Sequence, residues 1–181
     1  RFINPPRAWS DAIVVNARGE RFVDETVYGA TLGEHIGEHQ GGKAYIVIDA
    51  AGRKAAFKGA FDPLLVPFQR DVTLINLAFN STRAATLDAL ADRMGFDRQA
   101  LCETVESYNR AAQGLEPDRF GKEAPDMQPL TQGPFYAMDI SVDSRFLPLP
   151  IMSFGGLRVE EKSGLVLDAR GKPIEGLYAA G

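Results

Sequence analysis

Cysteine is almost missing from this sequence: Cys102 is the one thiol in 181 residues. That excludes an internal disulfide framework and a multi-cysteine zinc site, and it makes a reducing, cytoplasmic setting the expected one. No apolar run approaches the roughly 20 residues that span a bilayer, so no membrane span is expected. A signal-peptide pattern is absent as well. Basic residues are outnumbered, with 20 Lys+Arg against 24 Asp+Glu and a net charge of -4. A phosphate-binding surface needs a concentrated basic face, so nucleic acid is not an expected partner. No two glycines are separated by a single residue, and neither a P-loop nor a G-x-S-x-G is present. The chain therefore carries no phosphate-cradling loop of its own. It starts at Arg1 without a methionine and stops at Gly181, which reads as a piece of something longer. What it does have is 45% hydrophobic and 24% charged residues, enough for a real core. The length fits one large domain, or a small one plus part of another.

β-branched residues at Ala12-Ile13-Val14-Val15 predict a strand. Arg21-Phe22-Val23 is read as its return partner, across a turn with positive φ at Gly19. Residues 29–39 favour a helix only weakly, because Gly29, Gly33 and Gly37 (with Gly41 beyond) each cost about 1 kcal/mol of propensity. That glycine stripe reads first as tight packing and second as room for a ligand. Ala44–Asp49 is a continuous apolar run of strand length, whereas residues 58–80 show no periodicity that places them. Leu87, Leu90, Ala91 and Met94 are spaced for one helix face, with Thr86 as cap and Gly95 as terminator. A second helix runs from Asp97 as cap to Gly114, with Leu101, Val105, Tyr108 and Ala112 on its face. Proline and glycine punctuate a linker over residues 115–134, and Phe135–Ile140 resumes as a strand. Residues 157–159, 165–167 and 177–180 read as short strands. The fold class is α+β, with β-rich ends flanking a helical middle.

Four local patterns carry candidate chemistry. His35-Ile36-Gly37-Glu38-His39 is H-x-x-E-H, in which two imidazoles at i and i+4 can clamp a metal beside a glutamate. A third histidine is lacking and the helix is glycine-interrupted, so a solvated surface is the preferred reading and no metal site is expected. Cys102, beside an apolar helix face, reads as a small buried hydrophobe. The paired glycines in Ser153-Phe154-Gly155-Gly156 let backbone approach something flat and large, or merely form a turn. Leu177–Gly181 ends a strand in small residues, as α/β folds do where they receive cofactors.

In order along the chain, these pieces resemble the fumarate reductase/3-ketosteroid dehydrogenase flavoprotein family. Gly19–Glu25 resembles its "G-x-R-F-x-[ND]-E". Leu87 to Asn109 resembles its "L-A-x-x-x-G … L-x-x-T-V-x-x-Y-N" helix pair. Phe120-Gly121-Lys122, Gly133–Ala137, Phe154-Gly155-Gly156, Val166-Leu167-Asp168, Gly171–Ile174 and Gly176–Gly181 follow as later landmarks. The resemblance implies a capping domain inserted into a flavin-binding domain, with substrate between the cap and the isoalloxazine. Residues 1–25 and 129–181 would be segments of a truncated FAD-binding domain, and 26–128 the substrate-side cap. FAD is the implied cofactor of the full-length protein, held in part by Gly155, Gly156, Ala179, Ala180 and Gly181. The implied reaction moves a hydride and a proton across a C–C bond beside a carbonyl.

Carried over position by position, the family's substrate-gripping histidine is gone, since Ile151–Gly156 stands where fumarate reductases have "H-H-T-x-G-G". The arginine of their "T-T-R-D" falls at Tyr28. Their proton-donor arginine corresponds to Arg53, which otherwise reads as a solvated surface residue. Phe146, Met152, Ser153 and Phe154 then imply an apolar small-molecule substrate such as a 3-ketosteroid, with a fumarate-type dicarboxylate as the alternative. Tyr28, Arg53 and Tyr136 are the candidate catalytic residues, while the electron acceptor is left open. A non-catalytic binding domain and an H-x-x-E-H zinc peptidase are the readings from other classes.

Overall fold

The computed structural model describes residues 12–63, 65, 67–146 and 156–179, and the chain divides into two compact units, residues 1–151 and 152–181. In the first, β1 (Ile13–Val15), β2 (Tyr45–Ile48), β3 (Ser81–Ala84) and β4 (Phe135–Asp139) form one sheet in the order β1-β2-β4-β3. Every neighbouring pair is antiparallel. The helices are α1 (Gly29–His39), α2 (Ala50–Gly59), α3 (Pro67–Phe79), α4 (Leu87–Met94) and α5 (Arg98–Ala112). Together these confirm a mixed α+β architecture built on small antiparallel sheets.

Side chains alternate across the sheet, as the two-residue period of a strand requires. Ile13, Val15, Val47, Phe135 and Ala137 point into a core with Leu90, Leu101, Val105 and Tyr108 of α4 and α5. Val14, Ile46, Ile48 and Met138 point the other way, against Leu32 and Ile36 of α1, Ala56 of α2 and Leu77 of α3. A sheet covered on both faces explains why its inner strand β2 is apolar at every position. The helix pair matches its sequence signals: Thr86 Oγ1 accepts from Ala89 N, Asp97 Oδ1 accepts from Ala100 N, and Gly95 takes φ +75°.

Several expectations are corrected. Phe22 and Val23 form no return strand; Arg21 alone bridges Val15, because its side chain is drawn into a buried ion cluster described below. Gly19 does adopt positive φ, and a Cβ there would meet the Leu101 Cβ at 3.1 Å. The glycines of α1 do not make a common contact face: Gly33 is buried while Gly37 is exposed. A four-residue step advances about 400°, so such a stripe drifts round the helix. Residues 58–80, which periodicity does not place, contain α3, which buries Leu77 but whose pattern is otherwise mixed. It buries Thr73 and Asn76 and exposes Phe68, Ile75 and Phe79. The buried polar groups stay satisfied within the helix, Thr73 Oγ1 donating to Gln69 O and Asn76 Nδ2 to Val72 O.

In the first unit, β2 pairs with β1 on one side and β4 on the other. In the second unit, β5 (Leu165–Leu167) pairs antiparallel with β6 (Pro173–Tyr178). The strand expected at 157–159 is reduced to one bridge, Val159 to Val166. The last expected strand begins earlier, at Pro173, and ends at Tyr178 rather than within 179–180.

Candidate functional site

Arg53 enters the site because Asp49, directly after β2, caps the start of α2. The Asp49 carboxylate accepts from Gly52 N at 2.8 Å as an N-cap. Its other oxygen accepts from Thr131 N and Gln132 N at 3.1 and 3.0 Å, tying the helix start to the linker. Arg53, on the first turn of α2, lies with its guanidinium 4.6 Å from the centre of the Tyr136 ring on β4. One of its nitrogens, Nη1, donates to Ser81 Oγ on β3 at 3.3 Å. Two of the three candidate catalytic residues are thus in contact. Arg83 sits directly opposite Tyr136 in the β3–β4 register, so it shares that face, and it is exposed. Phe57, one turn further along α2, and Phe61, just beyond its end, have rings 5.4 Å apart and are more than half exposed.

Tyr28 occupies the N-cap position of α1, 40% exposed, with no capping bond from its side chain. Phe146 is 41% exposed, with Arg145 over its ring. Met152, Ser153, Phe154, Gly155, Ala180 and Gly181 lie outside the described residues. Of the cofactor candidates described, Ala179 donates its N–H to Gly164 O. An added Cβ at Gly156 would meet nothing within 4 Å. Ser81 is the site neighbour that sequence reasoning missed. It carried no local signal in the sequence.

Three of the family-like landmarks, Gly19–Glu25, the helix pair and Phe120–Lys122, meet at one buried ion cluster. Glu25 accepts from Arg21 Nε and Nη2 at 2.8 and 2.9 Å, from Val14 N at 3.0 Å and from Lys122 Nζ at 3.0 Å. Arg21 also donates to Asp118, whose second oxygen accepts from the backbone of Phe120 and Lys122. Lys122 reaches Ala12 O and the Tyr108 hydroxyl as well. Two cations thus balance two anions, all with side chains at most 6% exposed. Next to Tyr108, Asn109 exchanges a pair of bonds with the Leu130 backbone at 3.0 and 2.7 Å.

Burial works against the Arg21 charge, but Glu25 and Asp118 outweigh it and raise the guanidinium above its ordinary value. Asp118 is likewise opposed by burial, yet Arg21 and the two backbone N–H groups hold its carboxyl below the usual range. A carboxyl depressed in the folded state adds stability above its unfolded value of about 4, and that stability fades as pH falls through the folded value. Thermal melts from neutral pH to about pH 3 should therefore show an acid loss that is blunted in Asp118→Asn. An identical acid profile in both proteins would contradict the assignment.

The other features are not drawn into the site. The rings of His35 and His39 lie tilted to each other with centres 5.7 Å apart, and among the described residues no group of three or more His, Cys, Asp or Glu is placed to hold a metal. Cys102 is partly exposed rather than buried, its Sγ 3.9 Å from Asp88 Oδ1. Burial and then the Asp88 charge push its thiol up, away from reactive thiolate. A cavity of about 580 Å³ lies over the Arg21 turn and α5, and it includes neither Arg53 nor Tyr136. No helix among the described residues is long and apolar enough to cross a membrane.

Residues 9–181 match the family model described as an FAD binding domain. The chain is 38% identical over its full length to a 3-oxo-5-alpha-steroid 4-dehydrogenase of Comamonas testosteroni, spanning 34% of that protein. It is 31% identical to an NADH:fumarate oxidoreductase of Klebsiella pneumoniae, over 94% of this chain and 16% of the relative. Among solved structures it resembles the 3-ketosteroid-delta4-(5alpha)-dehydrogenase of Rhodococcus jostii in complex with 4-androstene-3,17-dione. There the TM-score is 0.73 at 30% identity, covering 97% of this chain and 33% of that one. The chain thus spans about a third of the length of its steroid-dehydrogenase relatives.

Proposed function

Because this chain belongs to the FAD binding domain family, we propose that it forms part of a flavin-dependent oxidoreductase acting on a C–C bond beside the carbonyl of an apolar ketone, such as a 3-ketosteroid. The observation that carries this reading is Arg53 stacked on Tyr136, with the exposed Phe57–Phe61 pair on and just beyond the helix that bears Arg53. A polar pair beside bare aromatic surface suits a substrate that is hydrocarbon apart from one carbonyl. The 38% identity to a steroid 4-dehydrogenase supports it.

In this reading residues 26–128 form the substrate-side cap, residues 1–25 and 129–181 belong to the flavin domain, and Gly155, Gly156, Ala179, Ala180 and Gly181 help to hold the cofactor. FAD supplies the hydride chemistry when bound. The protein's own residues handle charge and proton. Arg53, permanently charged, donates N–H to the carbonyl oxygen, where negative charge develops as the neighbouring C–H is broken or made. The Tyr136 hydroxyl, with Tyr28 as the other candidate, takes or gives the proton. Phe57, Phe61 and Phe146 keep water from the reacting carbons. A reducing cytoplasm suits the single thiol.

A second reading, a dicarboxylate enzyme, has one observation in its favour: Arg83 opposite Tyr136 adds another guanidinium to the same face. Full-length, flavin-loaded protein separates the two. A saturated 3-ketosteroid should bleach the flavin and reduce an artificial dye, while succinate and fumarate turn over slowly or not at all. Faster turnover of either dicarboxylate would overturn the apolar-substrate reading.

A further inference from the structure

From the contact between α2 and β3 we infer that Ser81 is a positioning residue, one that aims the Arg53 guanidinium; the inference rests on the proposed role of Arg53. A cation over an aromatic face is held at a distance but not in a fixed rotation, because the attraction to the ring's quadrupole is only weakly directional. Stacking on Tyr136 at 4.6 Å therefore sets the height of Arg53 over the sheet. It leaves open which of its five N–H groups points where.

The bond from Nη1 to Ser81 Oγ supplies the missing constraint. Ser81 opens β3 opposite Met138, two residues along β4 from Tyr136. Same-face residues repeat every second position, so Ser81 and Tyr136 offer their groups on one side of the sheet. One guanidinium nitrogen is thus committed to the strand, and the planar fork is fixed by two points, ring and hydroxyl. The remaining donors are then pre-aimed. Strand formation itself gives no reason for serine at this place, since β-branched residues suit a strand better.

Removing the hydroxyl leaves the charge of Arg53 in place and takes away only its aim. That predicts a loss in kcat with little change in KM. Steady-state assays on the full-length, flavin-loaded protein, with a saturated 3-ketosteroid and a dye acceptor, would test this in four forms: native, Ser81→Ala, Arg53→Ala and the double variant. Ser81→Ala should lower kcat about tenfold, as expected for loss of one hydrogen bond to a charged group. Ser81→Thr, which keeps the hydroxyl, should restore it. In the Arg53→Ala background, Ser81→Ala should cost nothing more, because the group it aims is gone.

An equal loss in both backgrounds would overturn the inference, as would full activity of Ser81→Ala alongside a crippled Arg53→Ala. Undiminished kcat in Arg53→Ala would instead sink the role proposed for Arg53, a distinguishable failure. Should Ser81→Ala lose its flavin, Ser81→Cys is read in the same cycle, where equal losses again decide against positioning.

Discussion

Arg21→Ala is expected to destabilise the protein by about 3–5 kcal/mol, a large share of the roughly 5–15 kcal/mol that a domain has in all. The reason is what the substitution leaves behind. Glu25 and Asp118, with side chains 1% and 2% exposed, lose the guanidinium that bonds both. Lys122 can neutralise only one of them. An uncompensated buried carboxylate costs far more than the intact cluster contributes. Arg21→Lys should recover little, since an ammonium cannot meet two carboxylates with the planar fork that reaches Glu25 through Nε and Nη2. Urea or thermal unfolding measures the loss. A shift under about 1 kcal/mol for Arg21→Ala would mean that water enters and that the cluster is not the clamp described.

Replacement of Arg53 by alanine should have the opposite signature. The side chain is partly exposed, its bond to Ser81 is replaceable by water, and its contact with the Tyr136 ring is a weak one. The melting temperature should therefore scarcely move. Turnover should fall by about 10²–10⁴-fold, the range expected when a group acting on the proton or on the developing charge is removed. Arg53→Lys keeps the charge but not the planar stack, and should remain well below native turnover. Stopped-flow bleaching of the flavin by substrate reports the chemical step directly. Native bleaching rates in Arg53→Ala would show that the arginine only decorates the surface.

Much of the fold was legible because local signals agreed with burial. The helix pair α4–α5 had a cap, a stripe and a terminator at each end, and all of them are used. α1 formed despite its glycines because Leu32 and Ile36 are buried, so packing overrode propensity. α3 was unreadable for a physical reason. Its phenylalanines face outward while Thr73 and Asn76 join Leu77 inside, which blurs the pattern that sequence reading relies on. At the site, Arg53 could be found from the strand-end aspartate before it. The Ser81 contact spans 28 residues with no local mark. The landmarks of the resemblance were visible as letters, but their meaning was not. Arg21 and Asp118 meet across 97 residues, a pairing that no spacing rule announces.

β1 and β3 are opposite margins of the sheet, about three strand spacings or 14 Å apart. The ion cluster is anchored at the first and the Arg53–Ser81 contact at the second. Groups so far apart, without shared partners, contribute independently. New specificity can therefore be written at one border while the foundations at the other are left untouched, and descendants of a single scaffold are free to trade substrates without relearning how to fold.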